Sequence, residues 1–249
     1  MKSIKIFLSI AALCIATVSF AQQKGPSYIG IGGGASLPLG NWSKSPSIVS
    51  TSGFVNDPNG YANTGVFVTV DGAWFFSKHF GIGGMFSYGT YRLKNVDSLS
   101  QGYQNSFDVD TTKTTPTNYK MVNFLPGLYF NYPLQKKLSI TGRALIGFTY
   151  ATTPQISVDV IDGGVDDGTF QQESASKTAF AFDIGAGLSY NIQKCLALNF
   201  KADYFYAKPD FKINNTHRNN AAGRLVTEYN QPLEALNFSL GITFLFCRK

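Results

Sequence analysis

Five ionisable residues in otherwise small or apolar segments are the first candidates for chemistry: Asp71, Arg143, Asp183, Lys201 and Asp203. Such a set could relay a proton or a solute, or it could be an ion-pair network that fills space. Charges withdrawn from bulk water need partners, so Arg143 and Lys201 are expected to pair with Asp183, Asp203 or Asp71 as a structural network. General acid–base catalysis finds few residues here, because the chain holds only two histidines, His79 in "SKHF" and His217 in "NNTHRNN". His217 has Thr216 beside it but no neighbouring serine and carboxylate, and a loop histidine bordered by asparagines reads as solvated. The densest group of metal-ligand types is "DVIDGGVDDG", Asp159 to Gly168. Its spacing departs from that of a Ca²⁺ loop, and Asp beside Gly is ordinary turn chemistry. No cofactor and no metal are expected.

The elements that must position these residues begin after an export signal. Lys2 and Lys5 precede the apolar run "IFLSIAALCIATVSF", and Ser19-Phe20-Ala21 offers a small-residue cleavage site. Residues 1–21 therefore read as a Sec signal peptide, cleaved after Ala21, with residues 22–249 as one domain. Cys14 follows Leu13, whereas a lipoprotein signal wants a small residue there. Loss of two lysines takes the net charge from +6 to about +4, which gives no reason to expect nucleic-acid binding. Nothing else in the chain is apolar for long enough to form a transmembrane helix, so any membrane residence must be by strands.

Eight segments carry a two-residue alternation: 27–40, 64–77, 80–93, 120–133, 138–151, 178–192, 196–207 and 233–247. The connections after the second, fourth and sixth are tight ("SKH", "LQKK", "QKC"), and the other connections run to roughly 23 to 26 polar residues. Alternating short turns and long loops, with no helix-period segment, predict an antiparallel up-and-down barrel with all its short turns at one end.

The two faces of these strands differ in bulk. One carries Ile29, Ile31, Val66, Val68, Val70, Trp74, Ile82, Phe86, Phe124, Leu128, Ile146, Phe148, Phe180, Ile184, Leu198, Phe200, Leu240, Ile242, Phe244 and Phe246. The other carries Gly30, Gly32, Gly34, Ser36, Thr69, Ala73, Gly81, Gly83, Ala179, Ala181, Gly185, Gly187 and the five charges. An eight-stranded barrel has an interior just wide enough to be filled by side chains, so the bulky face cannot be the inner one. Hydrocarbon would also reject the charges, at about 2–4 kcal/mol for a midplane Arg or Lys. The small face is expected inside and the bulky face against lipid. Trp74, Phe76, Tyr132, Tyr150, Tyr190, Tyr204 and Tyr206 sit toward strand ends, where aromatic girdles form. A soluble lipocalin-like barrel shares the strand number but needs its large residues inside.

With its alternating strands and loops the chain resembles the small eight-stranded outer-membrane barrels of the OmpA and OmpX type, and within them the PorT-like outer membrane protein beta-barrel group. The sharpest motif of the resemblance is the terminal "SLGITFLF", where Ser239, Gly241, Phe244 and Phe246 fall at the places of the family's C-terminal assembly signal. The family's last strand often ends on its aromatic, whereas this chain continues with Cys247-Arg248-Lys249. The resemblance implies an all-β, eight-stranded antiparallel transmembrane barrel with short periplasmic turns and long extracellular loops. It also implies recognition by the barrel-assembly machinery, and a role in surface secretion or envelope integrity.

In such a barrel Cys195 and Cys247 lie at the same end of adjacent antiparallel strands and share inward parity. Neighbouring strands are about 5 Å apart, so a Cys195–Cys247 disulfide is expected. The last long loop carries Lys208, Lys212, Arg218 and Arg224 against Asp210 and Glu228. Those cations could meet lipopolysaccharide phosphates, an acidic partner or the acidic third loop, or be simply solvated. "NDPNG", Asn56 to Gly60, reads as a turn. The expected function is non-enzymatic: an outer-membrane barrel whose partners are outer-membrane lipid, including lipopolysaccharide, and a surface or periplasmic protein. The alternative is an outer-membrane lipid-modifying or hydrolytic enzyme with a loop-borne site.

Overall fold

Strands with one bulky and one small face satisfy both lipid and a narrow interior when they close on themselves, and in this computed structural model they do. The structure describes residues 25–45, 59–216 and 225–246. The barrel strands are β1 (Tyr28–Pro38), β2 (Ala62–Phe75), β3 (Phe80–Leu93), β5 (Tyr119–Pro133), β6 (Leu138–Thr152), β9 (Ser176–Gln193), β10 (Leu196–Ala207) and β13 (Leu233–Leu245). They form one closed barrel in the order β1-β13-β10-β9-β6-β5-β3-β2, antiparallel throughout. The short turns after β2, β5 and β9 lie at one end, and the long connections lie at the other.

The faces sort as the alternation requires. Val66, Phe124, Phe148, Phe180 and Leu240 are about 60% exposed or more, and Asp71, Asp183 and Asp203 are buried. One expectation needs correcting, because the lumen is not filled by small residues alone. Phe75, Met85, Leu125, Tyr129, Leu145 and Phe205 all point inward and are buried. Across the lumen Tyr28 of β1 meets Tyr129 of β5 edge-on at 6.2 Å. The interior is thus a packed core, as the density of protein interiors demands.

The long connections also differ from the expectation of irregular loops. They contain β4 (Thr111–Pro116), β7 (Ile156–Asp162), β8 (Val165–Gln172), β11 (Asp210–Thr216) and β12 (Leu225–Asn230), which form a second sheet in the order β12-β11-β8-β7-β4. Each of these strands nearly continues a barrel strand, with a break of two or three residues between them. Pro154, Pro209 and Pro232 lie in these breaks, where their missing N–H groups interrupt the ladder. Local hydrogen bonds stitch the breaks. Thr117 N–H donates to Gln155 O at 2.8 Å, Thr153 N–H to Ala175 O at 2.8 Å, and Gln231 N–H to Pro209 O at 3.1 Å.

A helix where no helical period was expected completes this cap: α2 (Val96–Phe107). Its Leu99 and Tyr103 bury against Ile156, Val158 and Val160 of β7, giving the cap its own small core. Ser100 Oγ donates to Thr112 O at 2.7 Å and so ties α2 to the outer strand β4. A single helical turn, α1 (Gly40–Ser43), drives Trp42 into the barrel's loop end.

Candidate functional site

The five charges predicted from strand parity lie together in the middle of the lumen. Arg143 Nε donates to Asp203 Oδ1 at 2.8 Å and stands 3.2 Å from Asp183 Oδ1. Arg143 Nη1 lies 3.9 Å from Asp71 Oδ2, and Lys201 Nζ donates to the same oxygen at 2.6 Å. The Tyr28 hydroxyl donates to Asp71 Oδ2 at 2.9 Å, and the Lys201 ammonium lies 5.9 Å from the Tyr28 ring centroid. Three carboxylates thus enclose two cations, with every side chain nearly solvent-free.

Register explains how strands that are not neighbours share this network. Arg143 on β6 and Asp203 on β10 both face Gly185, on the intervening β9. A Cβ on Gly185 would collide with Asp203 Oδ1. Glycine is therefore the residue that lets the ion pair close over β9. On the other side of the lumen, Asn199 Nδ2 donates to Thr243 Oγ1, and a Cβ on Gly30 would crowd Thr243 and Asp71.

Toward the loop end the lumen is sealed by aromatic rings. Trp42 packs against Tyr91 at 4.5 Å and meets Tyr119 edge-on at 5.9 Å. Tyr91 Oη donates to Ser36 Oγ at 3.0 Å, Tyr119 Oη donates to Gly60 O at 2.9 Å, and Phe205 and Leu233 complete the seal. Sequence reasoning missed this plug because Trp42 is a lone aromatic inside a polar connection. Chemically, the network pairs two buried cations with three buried carboxylates, and the plug packs the loop end with aromatic rings.

The remaining candidates are spread over the surface. His79 Nδ1 lies 2.9 Å from Asn131 O and its ring stacks on Tyr132 at 5.3 Å, so it fastens a turn. His217, Arg218 and Arg224 lie outside the described residues. Asp159 to Gly168 form most of the β7–β8 hairpin, with Gly163 and Gly164 at positive φ in its turn. Among the described residues no group of three or more His, Cys, Asp or Glu could hold a metal ion. The third and fourth connections do meet, through backbone pairing of Asn215 with Gln172 and Thr216 with Gln171. Burial pushes the phenol of Tyr103, in the cap, well above its ordinary pKa.

Cys195 is exposed at the turn end and is disulfide-bonded; Cys247 lies outside the described residues. Leu245 N–H donates to Cys195 O at 3.0 Å, which brings the end of β13 beside that turn. Within "SLGITFLF", Ser239 faces the lumen, Gly241 packs against the β1 backbone, and Phe244 and Phe246 face outward.

The family model described as "Outer membrane protein beta-barrel domain" matches residues 6–244. Among solved structures, the chain is similar to Ail, the attachment invasion locus protein of Yersinia pestis, at 16% identity, covering 90% of this chain and 100% of that one with a TM-score of 0.40. It is similar to Neisserial surface protein A at 11% identity, covering 88% and 97% with a TM-score of 0.45. OprG from Pseudomonas aeruginosa shares 11% identity over 91% of this chain and 99% of that one, with a TM-score of 0.48. No curated protein matches the sequence.

Proposed function

The chain belongs to the outer membrane protein beta-barrel domain family, and we propose that it is a closed, non-enzymatic barrel that displays a folded cap for binding at the cell surface. The observation that carries this reading is the contrast between a lumen blocked by ions and aromatic rings and connections that build a second sheet with its own core. A conduit or a metal centre would have little use for such an arrangement. A binding platform would, since a folded cap loses less conformational entropy on meeting a partner than free loops do.

In this reading residues 1–21 direct Sec export, and Ser239, Gly241, Phe244 and Phe246 address the assembly machinery. The short turns face the periplasm and the cap faces outward, where Lys208 and Lys212 can meet lipopolysaccharide phosphates. The likeness to the PorT-like group favours a part in secretion or envelope integrity.

Photocrosslinking in intact cells tests the proposal, with the probe placed at Lys113 or Thr115 on β4 and, as a control, at Lys136. The expected result is an adduct to a defined envelope or surface component from the β4 positions and none from Lys136, with the β4 adduct lost when 156–172 and 210–230 are replaced by short turns and β4 itself is kept. The proposal fails if the β4 positions give no adduct. A lipid A or ester product that disappears with the cap would mean that the barrel is an enzyme.

A further inference from the structure

Among the described residues, the turn end of the barrel carries charge of one sign. Lys78 lies in the turn between β2 and β3, Lys136 and Lys137 between β5 and β6, and Lys194 between β9 and β10. All four are exposed. No Asp or Glu occurs among the described residues of these turns or of the strand ends they join. The carboxylates of the barrel interior are taken up in the lumen network. Beyond the described residues the sequence adds Arg248 and Lys249 after β13.

Position sharpens the meaning of these charges. In the barrel order the three turns fall on the pairs β2/β3, β5/β6 and β9/β10, with β1/β13 as the fourth pair, so the lysines are distributed around the rim. Cations on alternate strand pairs are roughly 10 Å or more apart, too far to chelate one small anion and well placed to meet several neighbouring headgroups. The outward apolar face runs up to them: Phe76, Leu134 and Ile192 are exposed two residues before Lys78, Lys136 and Lys194. Each ammonium thus begins where the hydrocarbon-facing band ends, a position from which a lysine's methylene stem can cover apolar surface.

We propose that this basic collar selects anionic phospholipids, through their phosphate headgroups, as the lipid shell at the turn end. The biological setting rests on the reading that this end faces the phospholipid leaflet. The test does not, because both leaflets of a reconstituted bilayer have the same composition.

Two tryptophans make the test selective: Trp74 is 53% exposed on the lipid face at this rim, and Trp42 is fully buried at the loop end. The full chain is reconstituted into phosphatidylcholine bilayers, and Trp fluorescence is quenched with dibrominated phosphatidylglycerol or dibrominated phosphatidylcholine. Phosphatidylglycerol is expected to quench at a mole fraction lower by on the order of five-fold. That preference should disappear in K78Q/K136Q/K137Q/K194Q, persist in the four-arginine counterpart and weaken in about 0.5 M salt. Equal quenching by both lipids in the native chain, or an undiminished preference in the glutamine variant, would overturn the collar while leaving the barrel and its cap intact.

Discussion

Arg143 and Asp203 are hydrogen-bonded at 2.8 Å although a whole strand, β9, lies between the strands that carry them. The bond closes because Gly185, opposite both residues, has no side chain to stand in the way. Strand parity puts the charges inside, and the register across a glycine lets them meet.

The first prediction concerns that glycine. Gly185→Ala sets a methyl group against Asp203 Oδ1. It should destabilise the barrel by about 1–3 kcal/mol, the usual range for overpacking. Urea unfolding in detergent micelles measures it, and an unchanged midpoint would mean that the network tolerates a side chain there.

Removing the guanidinium should cost more. Arg143→Ala leaves Asp183 and Asp203 buried beside one fewer cation, and breaking a buried pair in this way costs about 3–5 kcal/mol. Replacing Arg143, Asp183 and Asp203 together with apolar residues of matched volume should recover most of that loss in the same unfolding assay.

Trp42 is expected to hold the seal of the loop end. Trp42→Ala removes its contacts with Tyr91 and Tyr119 and should destabilise the fold by about 3–5 kcal/mol. Amide hydrogen exchange should show faster exchange in 39–45 and 59–62, with the turn end unaffected.

The cap should respond to alkali. The Tyr103 phenol has its pKa raised by burial from an ordinary 10.0, so it stays protonated in the folded cap where the unfolded chain would ionise it. The stabilisation is complete below about pH 10 and is lost as pH rises through the folded value. Tyrosinate absorbance should therefore show a fraction that titrates late and together with loss of cap structure. The shift should be absent in Tyr103→Phe.

The disulfide of Cys195 is expected to join Cys247. Non-reducing peptide mapping of protein from native membranes should recover both cysteines in one linked species. Two free thiols would refute the pairing.

The barrel was legible in the sequence to a degree that the cap was not, for a physical reason. Lipid outside and a narrow lumen inside impose opposite demands on alternate residues, so β3 and β10 occupy the very spans that alternation predicts, 80–93 and 196–207. The strands of the cap are under no such demand: "TTKTTP" of β4 has no apolar residue to alternate, and "VDDGTFQQ" of β8 reads as turn chemistry. A signal for α2 was present in Val96, Leu99, Tyr103 and Phe107, spaced by three, four and four, but Gly102 and the polar residues between them masked it. The five lumen charges followed from parity alone. Their mutual contacts did not, because pairing across Gly185 depends on the register, which only the closed barrel fixes.

The measurement that bears most directly on the account is single-channel recording of the full chain in planar bilayers. A lumen crossed by the Arg143–Asp203 and Lys201–Asp71 pairs and sealed by Trp42 and Tyr91 should pass no resolvable current at either polarity. Discrete, reproducible open-channel steps from the native chain would contradict it and make the barrel a conduit rather than a platform.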